Sequence, residues 1–267
     1  SGRRRPTSTS ERAKAAAVWR VPLVVAEQNA VAGAANRVAA RFAKAAAVAF
    51  PDTGLPNAEL TGNPVRAEIA ELGRRRATAG GADRSVGDPP TVLVFGGSLG
   101  ARRINEAAVE VAARWAPSPR VRFRHVIGER DWERPRPEAL SDPASGHVAV
   151  RYEEDMAAAL ADADLVVSRA GATTVAELTA VGVGAVFVPL PIATADHQTA
   201  NARAMVDAGA AVLVPDDELD GDRLEAELDA VLAEPGRLEA MADAARRLGR
   251  PDAAVRVAAL VEEHARG

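Results

Sequence analysis

Residues 166–202, VVSRAGATTVAELTAVGVGAVFVPLPIATADHQTANA, predict a strand, a helix, a second strand and a second helix in succession. The runs LVVS and AVFVPLP are short and apolar, which is typical of buried strands. Between them, TTVAELTAVG has the length and composition of a helix. A strand, a helix and another strand in this order indicate a βαβ unit of a parallel sheet.

The turn at Gly171 and the residues after it admit two interpretations. Thr174 and Glu177 have the S/T-x-x-E spacing of a capping box, in which Glu177 caps its own helix. The alternative is that Glu177, near the carboxyl end of a parallel strand, binds the diol of a ribose. The pattern taken alone favours the cap.

A second glycine turn, VLVFGGSLGAR at 92–102, joins a buried strand to a helix. Gly96, Gly97 and Gly100 would let the backbone approach a ligand closely, and the free amides at the start of a helix favour a phosphate. Ser98 adds a hydroxyl donor. A tight turn that simply needs small residues explains the same pattern, so both interpretations stay open at this point.

Strands alternate with helices from Thr91 onward, which predicts an α/β fold with a parallel, doubly wound sheet. Upstream, residues 21–27 predict another buried strand, and the tripeptide GNP at 62–64 is a strong turn signal. Residues 74–90, RRRATAGGADRSVGDPP, combine charge, glycine and proline. We predict a linker there, between a first unit at 1–73 and the block that begins at Thr91.

The 267 residues carry a net charge of −4 and contain no cysteine. The charge argues against a nucleic-acid-binding protein, and the lack of cysteine excludes disulfides and thiolate metal sites. No second histidine or cysteine stands at ligand spacing from His197, so we expect no bound metal. We also expect no cofactor. His125 and His147 lie on predicted strands and are interpreted as structural. The sequence contains no run of about 18 apolar residues, which a membrane-spanning helix would need.

Three further polar groups are ambiguous. Asp196, His197 and Gln198 stand at a predicted helix start and offer hydrogen-bonding groups of the kind that bind sugar hydroxyls, although a histidine there is more often solvated or capping. Residues 27–29, EQN, form a polar turn or a site at a strand end. Arg66 pairs with a phosphate or is an ordinary surface charge.

Six motifs in order carry a family resemblance: EQNAVAGAANR, TGNPVR, GGSLGARRIN, SRAGATTVAEL, FVPLP and DHQTANA. They resemble the MurG family of bacterial peptidoglycan glycosyltransferases, glycosyltransferase family 28, from about Val21 onward. The resemblance implies a GT-B fold of Rossmann-like domains. It assigns 1–73 to a partial N-terminal acceptor-side domain, 91–240 to a complete donor domain that binds UDP-GlcNAc, and 241–267 to a C-terminal helix.

The resemblance also implies a role for each matching residue. The glycine turn with Gly97 and Ser98, together with Arg66, would contact the diphosphate, and backbone groups of Glu153 would bind the uracil. His197 and Gln198 would face the GlcNAc hydroxyls, and Asn29 would reach the sugar from the other domain. The residues expected to line the nucleotide, with Glu177 on the ribose hydroxyls, are Ala172, Thr173, Thr174, Val175, Ala176 and Glu177.

By the same resemblance, the expected reaction moves N-acetylglucosamine from UDP-GlcNAc onto an undecaprenyl-linked muramoyl-peptide (lipid I) to form lipid II. Its expected place is the cytoplasmic face of the bacterial membrane, in peripheral contact with the lipid. Two departures stand out: Leu99 replaces a usual glutamine, and the GGTGGH loop that carries a candidate general base does not occur. We therefore expect the base to lie in an N-terminal segment that this chain lacks, and we assign no catalytic residue.

Two alternatives remain open. The first is a non-catalytic UDP-sugar-binding subunit that needs a partner chain for the acceptor half. The second is a GT-B transferase that uses another UDP-sugar, because the part of the site that binds the sugar carries the weakest signal.

Overall fold

The computed structural model describes residues 21–79, 88–97, 101–191 and 196–265. These residues form two parallel sheets, one of three strands and one of six. The strands are β1 (Val24–Glu27), β2 (Ala45–Val48), β3 (Ala58–Leu60), β4 (Thr91–Phe95), β5 (Arg122–Val126), β6 (His147–Val150), β7 (Leu165–Ser168), β8 (Gly184–Phe187) and β9 (Ala211–Leu213).

Helices follow most of the strands. They are α1 (Ala34–Ala40), α2 (Ala67–Ala79), α3 (Arg102–Trp115), α4 (Met156–Asp162), α5 (Ala172–Val181), α6 (His197–Asp207), α7 (Gly221–Ala233), α8 (Arg237–Leu248) and α9 (Ala253–Ala265). None of the helices in the described residues is long and apolar enough to cross a membrane.

The larger sheet has the order β6-β5-β4-β7-β8-β9, with every neighbouring pair parallel. Its strands β4, β7 and β8 are almost wholly apolar and buried, because helices cover both faces of a parallel sheet. The chain winds outward in both directions from the β4–β7 pair, which is the doubly wound Rossmann order. The predicted fold class is confirmed.

Alternate residues of each central strand enter two separate cores. On one face, Leu93 and Val166 pack with residues of α4, α5 and α6, of which Met205 is fully buried. On the other face, Val94 and Val167 pack with α3 and α7. The period of two along the strands therefore distributes the apolar side chains between both helix layers.

The smaller sheet, β1-β2-β3, is packed between α1 and α9. Ala39 and Ala40 of α1 pack with the face that carries Ala46, whereas Leu260 of α9 packs on Ala45 and Ala47 of the other face. The last helix thus returns to the first sheet. Residues 241–267 are not the single helix that we predicted: they comprise the second half of α8 and, after a break near Pro251, α9.

The predicted linker also needs correction. Residues 74–79 are the second half of α2, and 80–87 lie outside the described residues. The run of arginines is not a solvated loop, because Arg76 is 7% exposed and donates from Nη2 to the carbonyl of Ala161. Gly73 lets α2 approach α5 closely, since a Cβ there would lie 2.2 Å from the oxygen of Ala180.

Candidate functional site

The candidate site lies where β4 and β7 end side by side. In a doubly wound sheet the loops after these two strands turn in opposite directions, and they leave a crevice at the carboxyl edge in which ligands bind. The loop after β7 leads through Gly171 directly into α5. The fold therefore places the stretch SRAGATTVAEL at the position that binds nucleotides in folds of this order.

The start of α5 presents free backbone amides. Gly171 is the N-cap and supplies no side-chain cap, and the first intrahelical bond is donated by Val175 to the Gly171 carbonyl at 2.9 Å. The amides of residues 172–174 therefore have no partner within the helix. Unpartnered amides at the positive end of a helix favour an anion such as a phosphate.

The capping-box interpretation of Thr174 and Glu177 is wrong. The helix begins at Ala172, three residues earlier than that interpretation requires, because Gly171 adopts the extended N-cap conformation (φ −63°, ψ 148°). Thr174 is consequently the third residue of α5 and Glu177 the sixth. From there the Glu177 carboxylate cannot reach the N-cap amide, so it is available for another partner.

That partner is Arg66, which precedes α2. Arg66 Nε and Nη2 both lie 3.1 Å from Glu177 Oε1. The Glu177 side chain is 11% exposed and that of Arg66 is 52% exposed, so the pair lies at the edge of the crevice. The structure brings these two predicted residues together; their assignments to ribose and diphosphate stay predictions.

Asn201 links α6 to the first part of the chain, and the sequence analysis missed it. Its Oδ1 accepts from the Ala30 amide at 2.8 Å, and its Nδ2 lies 3.2 Å from both Asn29 Oδ1 and the Ala170 carbonyl. Asn201 is completely buried. Its position one helical turn after His197, in the same DHQTANA motif, is the signal that could have indicated it.

Asn29 is positioned by a buried carboxylate, Glu27. Glu27 accepts hydrogen bonds from the amides of Asn29 (3.0 Å) and Gly33 (2.9 Å) and from the side chain of Asn36 (2.9 Å). Burial alone would raise the pKa of Glu27, but these hydrogen bonds outweigh it and hold the pKa below its ordinary value. The EQN turn is therefore an ordered structure that orients Asn29 toward Asn201.

His197 and Gln198 are the first two residues of α6. Gln198 Oε1 accepts from the Leu190 amide at 2.9 Å and so fixes the loop after β8. His197 Nδ1 is buried and has no hydrogen-bond partner among the described residues. An unpartnered ring nitrogen beside a crevice can bond a ligand hydroxyl, but contact of either residue with a sugar stays a prediction.

Glu153 is positioned at the far end of the same edge, after β6. Its Oε2 accepts from Arg124 Nε at 2.7 Å and its Oε1 from the Asp155 amide at 3.1 Å. The side chain is 7% exposed. These contacts hold the backbone of the loop, whose predicted contact with uracil stays untested. In the glycine turn, Gly97 is described and has φ +98°, whereas Ser98 lies outside the described residues.

The two strand histidines form a separate buried pair. His125 Nδ1 and His147 Nε2 are 3.3 Å apart, and His125 Nε2 lies 3.0 Å from Asn105 Oδ1. Burial lowers the pKa of His125 to about 3 and that of His147 to about 4. Both rings are therefore neutral near pH 7 and serve the packing of β5 and β6.

Comparison with known proteins assigns a family to this arrangement. A family profile described as "Glycosyltransferase family 28 C-terminal domain" matches residues 91–257. The chain is 48% identical over 258 residues to the UDP-N-acetylglucosamine–N-acetylmuramyl-(pentapeptide) pyrophosphoryl-undecaprenol N-acetylglucosamine transferase of Alkalilimnicola ehrlichii; the match covers 94% of this chain and 70% of the relative. The like-named protein of Burkholderia vietnamiensis is 46% identical over 244 residues, with 89% and 64% covered.

The fold comparison agrees. The crystal structure of Acinetobacter baumannii MurG superposes with a TM-score of 0.80 at 33% identity, over 96% of this chain and 70% of that one. The chain thus spans about two thirds of the length of these proteins.

Proposed function

Because the chain belongs to glycosyltransferase family 28, we propose that it binds UDP-GlcNAc for transfer of N-acetylglucosamine to a lipid-linked muramoyl-peptide, which converts lipid I to lipid II. The observation that supports this most strongly is the arrangement of Arg66, Glu177 and the uncapped start of α5 at the β4–β7 crevice. The named relatives are transferases of this chemistry.

The donor diphosphate fits the start of α5. Its negative charge suits the amides of residues 172–174 and the guanidinium of Arg66, which lies at the same crevice. When Arg66 turns toward the diphosphate, the Glu177 carboxylate is released to accept hydrogen bonds from the ribose diol. In the structure the two residues pair with each other, so neither charge is left unpaired.

The sugar fits between the two parts of the chain, one of which carries the three-stranded sheet and the other the six-stranded sheet. Asn29 is held by the buried Asn201, and His197 lies one turn from Asn201 with an Nδ1 that has no hydrogen-bond partner among the described residues. Such amide and imidazole groups can donate to and accept from sugar hydroxyls. Asn29 belongs to one part of the chain and His197 to the other, so a bound sugar would hold the two parts together.

The reaction is an inverting, metal-independent displacement. The acceptor hydroxyl attacks the anomeric carbon of GlcNAc while the bond from that carbon to the UDP oxygen breaks. Negative charge grows on the departing diphosphate, where the α5 amides and Arg66 stabilise it. The hydroxyl proton passes to a general base, a role to which no described residue is assigned.

A basic and apolar patch supports contact with the cytoplasmic face of the membrane. Val38 and Phe42 are 37% and 54% exposed at the end of α1, and exposed Arg37, Arg41 and Lys44 surround them. No carboxylate in the described part of the chain pairs with these three cations. Apolar side chains among unpaired cations are typical of a surface that binds anionic lipid.

A transfer assay tests this function and its two rivals. The chain is incubated with radiolabelled UDP-GlcNAc and a lipid I analogue, and binding of UDP-GlcNAc and UDP-GalNAc is measured in parallel. Labelled lipid product from the chain alone establishes the transferase. Binding without transfer favours the subunit that needs a partner. If the chain binds UDP-GalNAc more tightly than UDP-GlcNAc, the proposed donor is wrong.

A further inference from the structure

A second cavity, of about 360 Å³, lies between the two parts of the chain. One wall comes from the ends of β2 and β3 and includes Phe50 and Asn63; the other is formed by α5, α6 and the end of α8 and includes Val175 and Met205. Arg66 and Glu177 are not in its lining. The cavity shares Ala172, Val175 and Ala176 with the residues expected to line the nucleotide, and it extends along α5 to Thr179.

Asn63 is the anomalous member of the lining. It is 6% exposed, and neither Nδ2 nor Oδ1 of its side-chain amide has a hydrogen-bond partner among the described residues. Buried side-chain amides are nearly always bonded, because leaving one unpaired disfavours the folded state. A donor and an acceptor held unpaired in an otherwise mainly apolar lining complement the N–H and C=O of another amide.

The rim of the cavity adds positive charge. Arg247 and Arg250 line it, and no carboxylate among residues 21–79, 88–97, 101–191 and 196–265 pairs with either one. Nearby arginines on α8 and α9 are paired, Arg246 with Asp243 and Arg256 with Asp252. Two guanidinium groups that form no salt bridge with a described carboxylate suit an anionic group at the mouth, and guanidinium binds carboxylates well.

We propose that this cavity binds a small N-acylated amino acid or the carboxyl terminus of a peptide. The amide of the ligand bonds Asn63, its carboxylate meets Arg247 and Arg250, and its aliphatic side chain lies against Val175 and Met205. The volume is at the lower end of the range for ligand sites, which suits one or two amino-acid units. Because the lining comes from both parts of the chain, the ligand also bridges them.

The test is a titration followed by NMR, with N-acetylalanine as the probe. Millimolar binding is expected for a ligand of this size, with chemical-shift changes at the Met205 methyl. N-acetylalaninamide lacks the carboxylate and methyl 2-acetoxypropanoate lacks both the carboxylate and the amide, so each should bind at least tenfold more weakly. If N-acetylalanine does not bind at concentrations up to ~50 mM, the proposal is overturned.

Asn63→Leu separates binding from folding. The substitution keeps the side-chain size and removes both unpaired atoms, so we expect an unchanged or raised Tm together with at least tenfold weaker binding of N-acetylalanine. Thr53→Val is the matched control, because Thr53 Oγ1 is also buried without a partner among the described residues but is not in the cavity lining. This variant should bind the probe like the parent. A lowered Tm or parental affinity in Asn63→Leu would show that Asn63 is structural and overturn the proposal.

UDP-GlcNAc binding is measured on the same samples. It should persist in Asn63→Leu, so the cavity proposal can fail while the proposed function stands, and the reverse also holds. A muramoyl-peptide is then added to the N-acetylalanine complex: displacement identifies the acceptor peptide as a source of the ligand, and lack of displacement identifies a free acylated amino acid.

Discussion

Arg66 and Glu177 are separated by 111 positions in the sequence, yet Arg66 Nε and Nη2 both lie 3.1 Å from the same oxygen of Glu177. This ion pair joins the segment before α2 to the helix that begins at the β4–β7 crevice. Each of the two charges has a partner in this pair, at the place where we propose that the diphosphate and the ribose bind. The same contact therefore connects the fold with the proposed donor site.

Asn201→Leu should destabilise the chain by about 3 kcal/mol, because it removes three hydrogen bonds of a buried side chain at about 1 kcal/mol each and leaves the Ala30 amide without this acceptor. Urea unfolding of parent and variant measures the change in the free energy of unfolding. Arg256→Gln, which breaks an exposed ion pair with Asp252, is the control and should change it by less than about 1 kcal/mol. An Asn201 variant as stable as the parent would contradict the linking role.

Glu27→Gln should destabilise the chain by about 1–3 kcal/mol at neutral pH. The NH2 group of the glutamine would face a backbone N–H group, and two donors cannot form a hydrogen bond. The folded-state pKa of Glu27 is lowered. Its ionic contribution is therefore present above the unfolded pKa near 4.5 and is lost as the pH falls through the folded pKa. Unfolding free energies of parent and variant should differ by a constant amount from pH 6 to 8 and converge below about pH 4.5. A difference that grows on acidification would be inconsistent with this carboxylate's role.

The buried histidine pair should make the chain less stable as the pH falls from about 6.5 to 5. The pKa values of about 3 and about 4 lie below that of an unfolded histidine, 6.5. The unfolded state consequently binds protons in this range while the folded state does not. Each histidine therefore lowers the free energy of unfolding by up to about 1.4 kcal/mol for each pH unit of acidification. His147→Gln should reduce the slope of unfolding free energy against pH by roughly one such contribution. An identical slope would mean that His147 binds its proton as readily in the folded state as in the unfolded state, and would contradict its lowered pKa.

Phe42→Ser should weaken binding to vesicles that contain anionic lipid by several-fold, as measured by co-sedimentation. The aromatic ring is 54% exposed beside Arg41, and its loss removes apolar area from the contact. Val255→Ser is a matched control, because Val255 is 72% exposed on α9, away from this patch. Equal loss of binding in both variants would exclude a specific role for the α1 surface.

The fold was largely predictable because it follows from apolar patterning. The valine-rich strands β4, β7 and β8 are buried on both faces, and short strands of this kind between helices predict a parallel sheet. The strand order, which places the site at the β4–β7 pair, depends on contacts between distant segments that no local pattern encodes.

The errors share a local cause. Thr174 and Glu177 match a capping box only if Thr174 is the N-cap, and a glycine N-cap has no side chain to signal the earlier start. Arg74–Ala79 were assigned to a linker because charge usually indicates solvent, whereas Arg76 is buried against Ala161. Asn201 was missed because a buried amide between two parts of the chain looks in sequence like any helical asparagine.

Calorimetric titration of the chain with UDP-GlcNAc, beside the Glu177→Ala variant, tests the donor site itself. We predict that the parent binds with a Kd tighter than about 1 mM and that the variant binds at least tenfold more weakly, a loss of about 1.4 kcal/mol or more. Glu71→Ala removes an exposed carboxylate that also pairs with an arginine, and it should leave the affinity unchanged. Equal affinity in parent and Glu177→Ala, or no binding by the parent, would contradict a UDP-GlcNAc site at the start of α5.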